Sequence, residues 1–150
     1  MDAAVTTSLV PYLIVRGGAE ALEFYQRAFG AHVTMRLEQP DGRLGHAELD
    51  IDGAAFTLAD EFPEMGIVGP ATLGGTPVTL HLTVVGVDDV VARAVGAGAT
   101  LNREVKDEFY GARSGQLIDP FGHRWTVSTP IEDVSADELQ RRLDELPDDR

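Results

Sequence analysis

Apolar and polar residues alternate along the chain with a period that switches between two and about 3.6, and the order of the switches predicts the elements. Residues 9–15 are an apolar run read as a strand. Over 19–29, Leu22, Tyr25 and Phe29 recur at helical spacing, Glu23 and Arg27 stand four apart, and Gly30 is a natural stop, so a helix follows. Residues 32–38 and 44–51 alternate around a Pro40-Asp41-Gly42 turn, Asp52-Gly53 signals a hairpin, and 54–59 is a third short strand. The first half therefore reads βαβββ. Further on come a strand at 78–84, a helix at 87–97 opened by Asp88-Asp89, and strands at 100–105, 116–118 and 123–128. The last two flank the turn Asp119-Pro120-Phe121-Gly122. The second half repeats the order of the first.

The expected fold class is α+β. A single domain over 1–130 holds module one at about 8–60, a linker at 61–76 and module two at about 77–129. The stretch 60–76 is rich in Gly and Pro and has no sustained period. It exceeds the roughly 12–15 residues usual for a structureless connection, so it is either a linker between half-modules or a loop over a site. In the tail at 131–150, Ser135-Ala136-Asp137-Glu138 is a capping box. Leu139, Leu143 and Leu146 then make an apolar stripe, with Asp137 to Arg141 and Glu138 to Arg142 at i,i+4. A short amphipathic helix is expected there, packed on its own sheet or on a partner subunit.

Composition narrows the chemistry. The 150 residues are 43% hydrophobic and 25% charged, as in a soluble globular domain. Twelve basic against 25 acidic side chains give a net charge of −13, which repels phosphate backbones and anionic lipid, so neither nucleic acid nor a membrane is an expected partner. Without cysteine there are no disulfides, thiolate metal sites or Cys nucleophiles. No apolar run approaches a membrane span, and Met1-Asp2-Ala3-Ala4 lacks the basic start of a secretory signal, so a cytoplasmic location is expected. Gly17-Gly18 and Gly74-Gly75 lack the surroundings of a nucleotide fingerprint, and the four histidines define no nucleophilic triad. Asp60-Glu61 and Asp148-Asp149 read as solvated acid runs.

Several strings then become specific in their order and spacing: Pro11-Tyr12-Leu13, 21–25 running to Phe29-Gly30-Ala31, Gly45-His46-Ala47-Glu48-Leu49, Leu58-Ala59-Asp60, His81-Leu82, 107–115, and 119–125. Together with the doubled βαβββ order, they resemble the vicinal oxygen chelate superfamily of glyoxalase, bleomycin resistance and dioxygenase proteins, and within it the PhnB-like subgroup. The resemblance implies a cup-shaped mixed sheet built from two modules with helices outside, a small-molecule site inside, and commonly a homodimer. It also implies a divalent metal held from the first and last strands of each module, at positions that fall on Val10, about Thr57, His81 and Thr126. Of these only His81 is an ordinary ligand, and open catalytic sites use about three. No cofactor is therefore expected with the usual four ligands. The alternative is a metal-dependent lyase, isomerase or dioxygenase that uses His81 with His46 and Glu48.

Alternation sorts Val33, Met35, Leu37, Ala47, Leu49 and Ile51 onto one face of the hairpin, and His32, Thr34, Arg36, His46, Glu48 and Asp50 onto the other. Thr79, His81 and Thr83 oppose Val78, Leu80, Leu82 and Val84, while Arg124, Thr126 and Ser128 oppose His123, Trp125 and Val127, which makes Trp125 a core residue. On the inward face, His46 and Glu48 are either ligand contacts or a polar face satisfied by solvent and Arg36. Tyr12 either orients a ligand or packs. His81 lines a cavity or is a hydrogen-bonded core histidine. Tyr110 and Arg113 sit in a 109–115 segment suited to gripping a small anionic or carbonyl ligand, with pairing of Arg113 to Asp107 or Glu108 as the alternative. Tyr12, His46, Glu48, Thr57, His81, Tyr110, Arg113 and Thr126 are thus the candidate site residues for a small organic molecule.

Overall fold

The computed structural model describes residues 3–147; the acidic pair Asp148-Asp149 lies outside them. The first module runs β1 (Tyr12–Val15), α1 (Gly18–Phe29), β2 (His32–Glu38), β3 (Leu44–Ile51) and β4 (Ala54–Asp60). A 3-10 turn at Pro63–Met65 and the short helix α2 (Pro70–Leu73) follow. The second module runs β5 (Thr79–Thr83), α3 (Val87–Gly96), β6 (Thr100–Asp107), β7 (Ala112–Ile118) and β8 (Arg124–Pro130), and α4 (Ala136–Asp144) comes last. The α+β fold of two βαβββ modules is thus the one expected. Each module forms its own open four-stranded mixed sheet, ordered β1-β4-β3-β2 and β5-β8-β7-β6. The outer pair β1/β4, like β5/β8, is parallel and the rest are antiparallel.

The two modules also start their helices alike. Neither α1 nor α3 caps itself with its own N-cap side chain; both begin after a left-handed glycine, Gly17 or Gly86. The orphan amides of a first turn need acceptors, and in both modules the end of the fourth strand supplies one. Asp60 accepts from the Gly17 and Gly18 amides at 3.1 and 2.6 Å and from the Leu44 amide at 2.7 Å. Thr129 accepts from the Val87 amide at 3.2 Å. Asp60 is therefore a helix cap, not the solvated acid the sequence suggested. At the other end of α1, Arg93 of α3 donates to the Arg27 and Gln26 carbonyls, placing a cation on the helix C-terminus.

One core serves both modules. Phe24, Tyr25 and Phe29 of α1 meet Phe56 of β4, Phe121 of the β7–β8 turn and Trp125 of β8. Ring centroids are 4.9 Å apart for Phe29–Trp125, 5.3 Å for Tyr25–Phe56 and 5.8 Å for Phe56–Trp125. Within this cluster Asp119 is buried and fully engaged. Its carboxylate accepts from the Tyr25 hydroxyl, from Trp125 Nε1 at 2.9 Å, and from the Phe121 and His123 amides at 2.9 and 3.0 Å. Trp125 is core, as its alternation indicated.

The hairpin departs from simple alternation. Pairing passes from Val33↔Leu49 to Met35↔Glu48, so Thr34 is a bulge residue, and every position after it changes face. Met35 and Leu37 therefore stand with His46 and Glu48 on the open face, 42% and 56% exposed. Arg36 lies opposite Ala47 on the helix side, its guanidinium on Glu38 at 2.8 Å, so it does not satisfy His46 or Glu48. β1 is shorter than expected because Pro11 has no N–H to pair; its carbonyl still takes the Thr57 amide at 2.9 Å. β7 is longer, since Ser114 and Gly115 pair with β8 without an apolar alternation to reveal it.

In the tail, Ser135 accepts from the Glu138 amide at 3.2 Å, half of the expected capping box. Arg141 pairs with Glu138 and Glu145 in place of Asp137. Arg142 ties α4 to its own module through Glu132 and the Phe109 carbonyl.

Removing the Asp119 carboxylate strands a buried Tyr hydroxyl and a Trp N–H, so Asp119→Ala is expected to cost about 3 kcal/mol or more in urea unfolding. Burial, reinforced by Asp119, holds the Tyr25 hydroxyl well above its ordinary value. A raised folded value stabilises below the unfolded tyrosine range and is lost as pH rises. Unfolding measured from pH 8 to 11 should show an alkaline loss beginning near pH 10 that is smaller in Tyr25→Phe.

Candidate functional site

Strand register assembles the site residues into rows. Across the first sheet, Tyr12 pairs with Thr57, Thr57 with Glu48, and Glu48 with Met35. Across the second, His81 pairs with Thr126, Thr126 with Gln116, and Gln116 with Arg103. The two rows occupy equivalent places in the two modules. The first-strand equivalent of His81 is thus Tyr12, not Val10, which lies ahead of β1.

On the first row the Tyr12 hydroxyl lies 2.9 Å from His46 Nδ1, and His46 Nε2 lies 3.3 Å from Glu48 Oε1. The Thr57 hydroxyl donates to the Pro11 carbonyl at 2.9 Å, so its proton is not available to this chain of contacts. On the second sheet His81, exposed, shares a 2.7 Å contact with Ser128, and Gln116 donates to the Thr126 hydroxyl at 3.3 Å. The Tyr110 hydroxyl reaches Ser114 at 2.9 Å, beside Arg103, which is paired to Glu108 at 2.6 Å. Arg113 stands apart from the other candidates. Its position on β7 turns to the helix side, where it bonds Asp88 at 2.8 and 3.0 Å and Asp107 at 3.0 Å. Asp88 is held below the ordinary carboxylate range by that guanidinium.

The metal positions implied by the resemblance do not fit a divalent ion. Val10, Thr57, His81 and Thr126 offer one imidazole, two threonine hydroxyls and an apolar side chain, and Tyr12 in the place of Val10 adds only a phenol. Nor does the substitute set converge: among the described residues no three His, Cys, Asp or Glu side chains are grouped to hold a metal.

The 61–76 segment was the least legible part of the chain, and it builds two cavities over β1. One, of about 700 Å³, lies between Tyr12, Ile14 and Ala59 of the sheet and Phe62, Met65, Ile67 and Val68 of the segment, with Gln39 and Gly45 at its side. The other, of about 290 Å³, lies between Pro11–Ile14, 68–78 and His123, and shares Tyr12, Ile14 and Val68 with the first. Glu61 secures the segment. Only 9% exposed, it accepts from the Gly69 amide at 2.8 Å, the Thr72 hydroxyl at 2.5 Å and Arg16 Nε at 3.1 Å. Gly69 must be glycine because a Cβ there would stand 2.3 Å from the Ile14 carbonyl oxygen. His123 Nε2 donates to that same carbonyl at 2.9 Å, joining the second module to β1. Sequence reading missed Glu61, which resembles a surface acid. The apolar residues Phe62, Met65, Ile67 and Val68 among turn formers were the available sign of a roof.

Paired βαβββ modules sharing one core, each with a helix-covered face and an open polar face, define the vicinal oxygen chelate class of fold. Residues 6–127 match the Glyoxalase/Bleomycin resistance protein/Dioxygenase superfamily, and the chain belongs to it. An uncharacterised protein of Mycobacterium tuberculosis is 43% identical over 142 residues, covering 93% of this chain and 84% of that one. The crystal structure of an Arabidopsis thaliana gene product has a TM-score of 0.66 at 29% identity, covering 83% of this chain and 99% of that one. The PhnB protein of Bacillus cereus, described as a putative 3-demethylubiquinone-9 3-methyltransferase, has a TM-score of 0.64 at 16% identity, covering 82% and 99%, a likeness of fold. No helix among the described residues is long and apolar enough to cross a membrane.

The Thr72 hydroxyl, then the Gly69 amide and Arg16, hold Glu61 below the ordinary glutamate range. A lowered folded value stabilises above the unfolded value, near 4.3, and the contribution is lost as pH falls through the folded one. Hydrogen exchange at the Gly69 amide should therefore stay slow from pH 7 to 5 relative to intrinsic rates and lose protection below about pH 4. In Glu61→Ala that protection should already be lost at pH 7.

Proposed function

We propose that the chain binds a small, uncharged and largely apolar organic molecule in the cavity between β1 and the 61–76 segment, without the four-ligand metal site of its enzymatic relatives. One observation carries this reading. In a chain with 25% charged residues, the walls of the 700 Å³ cavity hold no charged side chain, and Tyr12 and Gln39 are its polar side chains. Such a pocket favours an apolar body and uses a few polar groups to orient it. Placing an ion in it would cost desolvation that no wall residue offsets. The activity is binding or sequestration in the cytoplasm, and His81, Tyr110 and Thr126, on the second sheet, stand outside the walls of this cavity.

The functional unit in this reading is a homodimer. Met35 and Leu37, brought to the open face by the bulge at Thr34, leave an apolar strip on the edge strand β2. A second copy of the chain covers it.

Titration with the uncharged fluorophore N-phenyl-1-naphthylamine should give saturable enhancement. Ile67→Glu, which puts a charge on the cavity wall, should weaken it at least about tenfold. Enhancement that does not saturate, or that Ile67→Glu leaves intact, would contradict the reading. Sedimentation equilibrium should return twice the 16.1 kDa chain mass, with Leu37→Asp shifting the protein toward one chain mass. A monomer at all concentrations would remove the dimer from the account.

A further inference from the structure

The contacts among Tyr12, His46 and Glu48 have a direction that settles what the phenol can offer a ligand. At neutral pH a carboxylate only accepts hydrogen bonds. Glu48 Oε1 stands 3.3 Å from His46 Nε2, so Nε2 is the ring nitrogen that carries the proton. A neutral imidazole has one N–H, which leaves Nδ1 as an acceptor. The group 2.9 Å from Nδ1 is the Tyr12 hydroxyl, which must therefore donate to it. Among the described residues no other side chain bonds the Tyr12 hydroxyl, the His46 ring or the Glu48 carboxylate. Thr57, beside Tyr12 in the row, gives its hydroxyl to Pro11, and the cross-strand partners of Glu48 and His46 on β2 are Met35 and Leu37, which carry no polar hydrogen.

With its one proton committed to His46, Tyr12 presents only oxygen lone pairs to anything else that reaches it. Tyr12 is also the one polar residue among the three that the two cavities share, half exposed, in a wall that is otherwise mainly apolar. We infer that Glu48 and His46 act as positioning residues that fix the Tyr12 oxygen as a hydrogen-bond acceptor, so that the cavity selects apolar ligands bearing an N–H or O–H donor over the same ligands without one. The inference rests on the cavity being the binding site and adds the chemistry by which that site discriminates. A Tyr12 left free to rotate its hydroxyl would serve donors and acceptors equally. The relay removes that freedom.

The test pairs two probes of nearly equal shape, indole and 1-methylindole, on the full chain. A neutral hydrogen bond made in a desolvated site corresponds to roughly fivefold to tenfold in affinity. Indole should bind tighter than 1-methylindole by that ratio, and the ratio should fall below about twofold in Tyr12→Phe. His46→Leu, which leaves the phenol in place but frees its proton, should keep that ratio and instead tighten isoquinoline, which can only accept, at least about threefold relative to naphthalene, and no such gain would overturn the relay. In parallel, long-range 1H–15N correlation should show the His46 ring protonated at Nε2, with Nδ1 as acceptor. A ratio near one in the unaltered protein, or a His46 ring protonated at Nδ1, overturns the inference. If neither indole binds, the cavity reading fails, and with it the selectivity; the tautomer then shows separately whether the relay exists.

Discussion

The structure hangs on one buried carboxylate. Asp119 sits in the turn between the last two strands of the second module, yet one of its four hydrogen-bond donors, the Tyr25 hydroxyl, comes from the helix of the first. A charge taken out of water is costly unless its lone pairs are satisfied, and a half-satisfied one is worse than none. Asp119 can thus be accommodated only when α1, the turn and Trp125 are all in place, which makes it a sensor of correct docking between modules. The aromatic cluster supplies apolar burial around it, and the carboxylate fixes which ring goes where.

From that joint the rest follows outward. Docking of the modules brings His123 onto the Ile14 carbonyl, and the same carbonyl tolerates Gly69 beside it only because Gly69 has no side chain. The connecting segment is thereby laid along β1, where Glu61 fastens it, and the space it fails to fill is the pair of cavities. Asp60 and Glu61, adjacent in sequence, divide two tasks: one starts α1 and the other holds the roof. The cavity is a consequence of how the modules are joined.

Much of this was legible in the chain. Element order, the α+β class and the core role of Trp125 follow from periodicity, because strands and helices with one buried face must carry it in their sequence. Three features escaped for physical reasons. The bulge at Thr34 leaves the alternation of side chains along the strand unchanged while altering their faces, so Met35 and Leu37 read as core and are open. Asp60, Glu61 and Asp119 look like surface or turn acids, because a carboxylate's partners here are backbone amides and residues distant in sequence, which no local pattern encodes. Tyr12, His46 and Glu48 were recognised as sharing a face, but their order as a chain of contacts depends on rotamers. Arg113 shows the converse: a plausible ligand grip in sequence, it is turned to the helix side and held by Asp88 and Asp107.

Membership of the superfamily sets the fold, while the donor set at its metal positions and the uncharged cavity beside Tyr12 are the observations on which the proposed binding function rests. The most direct test is residue-by-residue 1H–15N chemical-shift mapping of the full chain as indole is added. The account predicts saturable shifts concentrated at residues 12–14 and 62–69. Shifts centred instead on His81 and Thr126 of the second sheet, or none that saturate, would contradict it.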